Sequence, residues 1–410
     1  MIHKLQLLKR GIAVLVFAAA PLTSTATSAG FAVYVSDVEQ LYAAVDNPAN
    51  TGASVVLAPG IYPLTPTDPA GIARPNRGRL ELQKDMSLYG VAGDRTAVVI
   101  DAGALLQSSF SMPFGRTGVI RTGRGSNAVE WLTIHGNPLA AAALETDLVD
   151  TPEHHIRVAH VLAGDSARGV DIRNIGATMA GRRVDAKIVD SEFFRGVEGI
   201  RVINLAGAHQ GDISVVMHGN RSYANFLGCI VENNRSSFAR IYVRSSGDRF
   251  EDNMLGCQIG GGLELPVVGT ANSNSVVFEA HGTQFIDNRR TEFFNPTGPD
   301  FTHWGGLLVE GGTAVSGAGN TNGNTVTVSL WGCKVAGNLN IDFQAFGAHA
   351  GPTVSGIAGT DNHVTIELHG VSKLIDVVAV DSSPADPSGS NTATVIRRAT
   401  RSARRGGSIE

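Results

Sequence analysis

Two aspartates sit one residue ahead of an asparagine, Asp252 in EDN at 251–253 and Asp287 in IDN at 286–288. If their turns stack on successive coils, the carboxylates come within about 5 Å of each other. That separation raises one pKa or holds Ca²⁺, and no other cofactor is expected. The plainer alternative is a pair of solvent-facing turn acids. A second set lies in the insertion RRTEFFNPTGPDFTHW at 289–304. Arg289, Arg290, Phe294, Asp300 and Trp304 are of types that suit sugar rings and carboxylates. His303, in the same loop, joins Asp252 and Asp287 as a candidate proton-transfer group. Loops longer than about 12 residues are often functional; the alternative is a self-packed surface loop. A third set, His218, Arg221, Tyr223, Arg235, Arg240, Arg244 and Arg249, supplies cations and a base. Outward arginines are more ordinarily just solvated.

These residues gain meaning from a repeat. NFLGC at 225–229 returns as NMLGC at 253–257, an offset of 28. Strand-like segments opened by Gly follow the same register: GVDIRN from Gly169, GIRVIN from Gly199, GCIVEN from Gly228, GCQIGG from Gly256 and GLLVEGG from Gly306. Between them run alternating segments such as VDAKIVDS, DISVVMH, ARIYVRS and SVVFEAH, the period-two pattern of half-buried strands. Asn225, Asn253, Asn288 and Asn338 share a turn slot. Asn tolerates left-handed backbone, and stacked amides bond along an axis, so a structural ladder is expected there. Phe193, Phe250, Phe285 and Val335 predict an inward apolar stack. Cys229 and Cys257 should be neighbours on adjacent coils; a disulfide is conceivable, but two small buried thiols fit better.

The opening is also patterned. VEQLYAAVD has helical spacing, with Asp37 as N-cap. Val56-Leu57-Ala58-Pro59-Gly60-Ile61-Tyr62 follows, then LELQKDMSLYG from Leu80 to Gly90. Helix and phrases together resemble the N-terminal cap of the pectin lyase-like superfamily. The resemblance extends as a repeat over about residues 31–380. It implies an all-β, right-handed single-stranded parallel β-helix with a short capping helix, covering the open end of its apolar column. It also implies a protein that engages polysaccharide, acidic glycan above all, along a lateral groove, as a lyase or hydrolase. In that chemistry a base takes the proton alpha to a uronate carboxylate and a cation neutralises the carboxylate. The NTD, DD, GHG and RIK series of polygalacturonases and the DPH of alginate epimerases are not present. The competing reading is therefore a non-catalytic surface or carbohydrate-binding β-helix.

Composition sets the remaining bounds. With 43% hydrophobic and 17% charged residues the chain is too apolar and too weakly charged for disorder. Residues 1–29 have a basic start, the apolar run GIAVLVFAAA and small residues after it, the layout of a secretory signal peptide. Residues 30–382 are expected to form the β-helix and 383–410 an Arg-rich tail that includes one last strand. Loss of Lys4, Lys9 and Arg10 would take the net charge from −4 to −7. No nucleic acid partner is expected from that charge, and no membrane contact after cleavage. The expected location is secreted, periplasmic or cell surface.

Overall fold

The computed structural model describes residues 30–110, 117–146, 153–175, 182–205, 208, 210–264, 270–290, 305–317, 321–339, 341–354, 359–371, 377–383 and 389–398. Residues 1–29, expected to be a signal peptide, lie outside them.

Helix Val38–Asp46 starts where Asp37 Oδ1 accepts from the Gln40 amide at 2.8 Å, and its Leu41, Tyr42, Ala44 and Val45 are buried. Beyond it the described strands form three sheets, of twelve, ten and nine strands, and strands that neighbour each other in a sheet come from successive coils. Every named strand pair is parallel. This is a right-handed parallel β-helix.

Each coil holds three strands. The period-two segments make the twelve-stranded sheet, for example Asp212–His218, Arg240–Ser246 and Ser275–His281. The Gly-opened segments make the ten-stranded sheet, as in Leu227–Asn234 and Leu255–Glu264. Between them lies a three-residue strand, such as Arg221–Tyr223, Arg249–Glu251 or Gln284–Ile286. At three residues it is shorter than the segment that reveals a period of two, so in the sequence it is merged with the turns. The last strand, Thr392–Arg398, pairs with His363–His369.

The interior is one apolar column, with Phe193, Phe250, Phe285 and Val335 all buried in it. The Phe250 and Phe285 rings stack at 5.3 Å. Ser222 occupies the position between Phe193 and Phe250, so the stack is interrupted there. Cys229 and Cys257 are register partners, buried and unbridged.

The corners are held by amides. Asn225 Nδ2 donates to Asn253 Oδ1 at 3.2 Å, Asn253 to Asn288 at 3.1 Å and Asn288 to Asn338 at 2.9 Å. A second ladder closes the other corner: Asn274 to Asn324 at 3.0 Å, Asn324 to Asn362 at 2.9 Å and Asn362 to Asn391 at 3.1 Å. In both, each backbone N–H also donates to the next Oδ1, so buried turn groups are satisfied from coil to coil. The second ladder is written in the Gly, Ser, Thr and Asn loops that precede the twelve-stranded sheet.

Candidate functional site

A parallel β-helix turns alternate side chains of each strand outward in rows about 4.8 Å apart. On the twelve-stranded sheet one row reads Arg157, Lys187, Val216, Arg244, Glu279. Lys187 and Arg244 are exposed and make no ion pair among the described residues, and Val216 between them is 39% exposed. Arg157 is paired to Glu130 at 2.8 Å. Over the four strands from Glu153 to Ser246, the outward side chains include Arg157, Arg183, Lys187, Arg240 and Arg244 against Glu153, Asp185 and Asp212. Arg157, Arg183 and Arg240 are paired with Glu130, Asp185 and Asp212, which leaves Lys187 and Arg244 as the exposed cations of this face without ion pairs among the described residues.

The adjoining row reads His218, Ser246, His281, Trp331, His369 and Arg398. Trp331 is 42% exposed and stacks on His369 at 3.5 Å, with His281 parallel to it at 6.0 Å on the other side. Tyr242 donates to Glu279 Oε2 at 2.7 Å, and that hydrogen bond, with burial, raises its pKa. Tyr242 is therefore held as a neutral phenol. Two exposed cations, without ion pairs among the described residues, on an accessible sheet are suited to carboxylates on an extended chain.

The sequence candidates fall in several places. His218, Arg240 and Arg244 belong to this face. Arg221, Tyr223 and Arg249 lie on the nine-stranded sheet, where both arginines bond to Glu251 and Arg221 covers the Tyr223 ring at 4.1 Å. Arg235 occupies a left-handed turn position. That third set is therefore divided among three places by the coil.

Asp252 and Asp287 take equivalent left-handed positions at the turn beside the first Asn ladder, both exposed. Arg290 Nη1 lies 3.3 Å from Asp252 Oδ2, and Arg289 Nε donates to the Gly337 carbonyl. Phe294, Asp300, His303 and Trp304 lie outside the described residues.

For a cation, Glu153, His155 and Asp185 are the described group with ligand atoms within 4.8 Å of one another. Arg183 Nε stands 3.0 Å from Asp185 Oδ2 and competes for it. Ca²⁺ takes 6–8 oxygens, so two carboxylates, an imidazole and a competing guanidinium do not fit it.

Sequence reasoning missed the outer face of the ten-stranded sheet. Alternation predicts solvated polar side chains there, yet Glu145, Asp171, Arg173, Arg201, Glu232 and Glu310 are all buried. One row reads Glu81, Arg121, Glu145, Asp171, Arg201. Asp171 has Arg201 Nε at 3.3 Å, Arg173 Nε at 3.6 Å and Arg168 Nε at 3.9 Å. Burial pushes its carboxyl up, but the three guanidinium groups outweigh that and hold it below the usual carboxylate range.

The next row reads Glu232, Gly260, Glu310. Burial raises Glu232 to about 7, against the pull of Arg201. Burial pushes Glu310 up too, but the His349 Nδ1 contact at 2.7 Å and the Gln258 Nε2 donor at 3.0 Å bring it below its ordinary value. The signal was present: Glu232 and Glu310 each lie four residues after the opening Gly, in GCIVEN and GLLVEGG.

No protein-family model matches the chain, and no curated protein does. Solved structures do. The A-module of a mannuronan C-5 epimerase from Azotobacter vinelandii is 13% identical at a TM-score of 0.40, covering 89% of this chain and 97% of its own. A pectate lyase is 12% identical at 0.37, covering 82% and 80%. Endopolygalacturonase I from Stereum purpureum is 13% identical at 0.31, covering 90% and 100%. The three parallel sheets and stacked corners of this chain make it a right-handed parallel β-helix.

Proposed function

We propose that this is a secreted β-helix protein that binds an acidic polysaccharide along the outer face of its twelve-stranded sheet. The carrying observation is the pair Lys187 and Arg244, exposed, without ion-pair partners among the described residues, and separated by the exposed Val216. The two cations stand two strand spacings apart, about 9.6 Å, a separation that suits an extended chain with regularly repeated carboxylates. The apolar patch between them accepts the face of a sugar ring. The layout of residues 1–29 supports export, to the periplasm, the cell surface or the medium.

The turn residues Arg289, Arg290, Asp252 and Asp287, with Phe294, Asp300, His303 and Trp304, are a second proposed contact. Exposure of Arg289 and Asp287 favours it.

The test is retention on immobilised pectate, alginate and heparin, with a neutral glycan as control. Lys187→Glu with Arg244→Glu should abolish retention on at least one acidic matrix, and raised salt should weaken it. Retention unchanged in the double variant removes the sheet face from the account. Loss in Arg290→Ala and Trp304→Ala instead moves binding to the turn.

A further inference from the structure

We infer that His218 and His281, on the twelve-stranded sheet, flank a slot over Ser246 that clamps one pyranose ring of a uronate chain, with Arg244 taking the carboxylate of that ring. The uronate rests on the acidic-glycan reading given above; the slot itself does not. Outward residues of successive coils run His218, Ser246, His281, Trp331, His369. All but Ser246 carry an aromatic ring.

The last three rings stack. Trp331 lies 6° from parallel to His281 and 6° from parallel to His369, with centroids 6.0 and 3.5 Å away. Glu367 Oε2, 3.2 Å from His369 Nε2, holds the far end of the stack. Rings stacked from coil to coil turn their faces along the row. One face of His281 therefore meets Trp331, and the other looks toward Ser246, whose side chain is too short to cover it. Beyond Ser246 stands His218, which is exposed.

The strands of His218 and His281 are two spacings apart, about 9.6 Å. That width selects the occupant. A flat aromatic ring between two others needs two contacts of about 3.5 Å, or about 7 Å in all. A puckered pyranose, with axial hydrogens on both faces, is thicker and fills the larger gap. The slot is also open at its side. The turns that follow these strands, 219–220, 247–248 and 282–283, are two residues long, so no loop rises there. A Cβ on Gly247 or Gly282 would meet nothing within 4 Å.

Charge orients the ring. Arg244 points outward from the strand of Ser246, about 6.6 Å before it, exposed and without an ion pair among the described residues. Glu279, opposite Arg244, would repel a carboxylate. Its Oε2 accepts from the Tyr242 hydroxyl at 2.7 Å, and Tyr242 lies on the side of Arg244 away from Ser246. The Glu279 anion is thereby drawn away from the slot. A uronate with its carboxylate on Arg244 places its ring over Ser246, and its chain continues past Val216 to Lys187.

The experiment titrates the protein with trigalacturonate, trimannuronate and neutral cellotriose. It follows imidazole C–H signals by NMR and affinity by calorimetry. At least one uronate is expected to shift His218 and His281 and to leave His363, exposed at the other end of the same sheet face, unmoved. Ser246→Trp fills the slot with a side chain that the same row already carries at Trp331, so the fold accepts it. Ser246→Trp and, separately, His218→Ala should weaken uronate binding about 3- to 10-fold. Uronate binding as tight in both variants as in wild type overturns the inference, as does a lack of shifts at His218 and His281. Cellotriose bound as tightly as the uronates overturns the Arg244 contact. Lys187 lies outside the slot and separates the two readings. Binding lost in Lys187→Glu but intact in Ser246→Trp and His218→Ala leaves the binding face standing and removes the slot. Binding lost in those two but intact in Lys187→Glu keeps the slot and removes the cation pair.

Discussion

Glu232 and Glu310 occupy the same position on two strands of one sheet, with the side-chain-free Gly260 between them. One is pushed up to about 7 by burial and the other is brought below its usual value by a histidine and a glutamine. Nearness in sequence does not explain the pairing, since an insertion separates them. It follows from the coil register, which returns the fifth residue of each Gly-opened strand to one row.

That row makes a stability prediction apart from any activity. Glu232 goes from 4.5 unfolded to about 7 folded, so the folded state binds the proton more tightly. Its contribution is present below 4.5 and is lost as pH rises to about 7. Glu232→Gln should therefore gain on wild type by about 1–3 kcal/mol between pH 4 and pH 8. Urea unfolding at both pH values measures it, and an unchanged difference would contradict the shift.

Asp171 runs the other way. Its folded value is lowered, so its contribution is present above 3.8 and lost as pH falls. Asp171→Asn leaves Arg168, Arg173 and Arg201 packed together with their shared anion gone. The expected cost is about 3–5 kcal/mol at neutral pH, read as a lower denaturation midpoint. A midpoint within error of wild type would show that the surrounding acids suffice without it.

Asn288 accepts from Asn253 and donates to Asn338. Asn288→Ala removes both links and the acceptor for the Asn253 amide, leaving buried groups unmet. About 1–3 kcal/mol should be lost, visible in thermal melts. A melting temperature equal to wild type would mean that water replaces the amide.

Cys229 and Cys257 are predicted to be free thiols that alkylating reagents do not reach at pH 8. The Cys257 hydrogen bond and burial raise the Cys229 pKa well above its ordinary value. Mass spectrometry after non-reducing alkylation should show no label on the native protein and full label after denaturation. A mass two units low would reveal a disulfide.

Much of this architecture was legible in the sequence because the repeat prints it. Gly-opened strands, the first Asn column and the Phe250–Phe285 stack recur once per coil, at offsets of 28 to 50 residues that lengthen where loops are inserted. The three-residue strands escaped, being shorter than any period that marks them. The outer face of the ten-stranded sheet escaped for a different reason. Alternation says which way Asp171 and Glu232 point and nothing about whether that side is covered. Lys187 and Val216 were not singled out either, because outward residues join into a patch only across coils. Of the cations that were, Arg244 lies in that patch, whereas Arg221 and Arg249 are held by Glu251.

The most direct test of the binding account is a crystal structure of the protein soaked with an acidic oligosaccharide. The account predicts a chain lying across the twelve-stranded sheet, with carboxylates within salt-bridge distance of Lys187 Nζ and the Arg244 guanidinium and a sugar ring over Val216. Oligosaccharide bound elsewhere, with Lys187 and Arg244 still facing solvent, would contradict it.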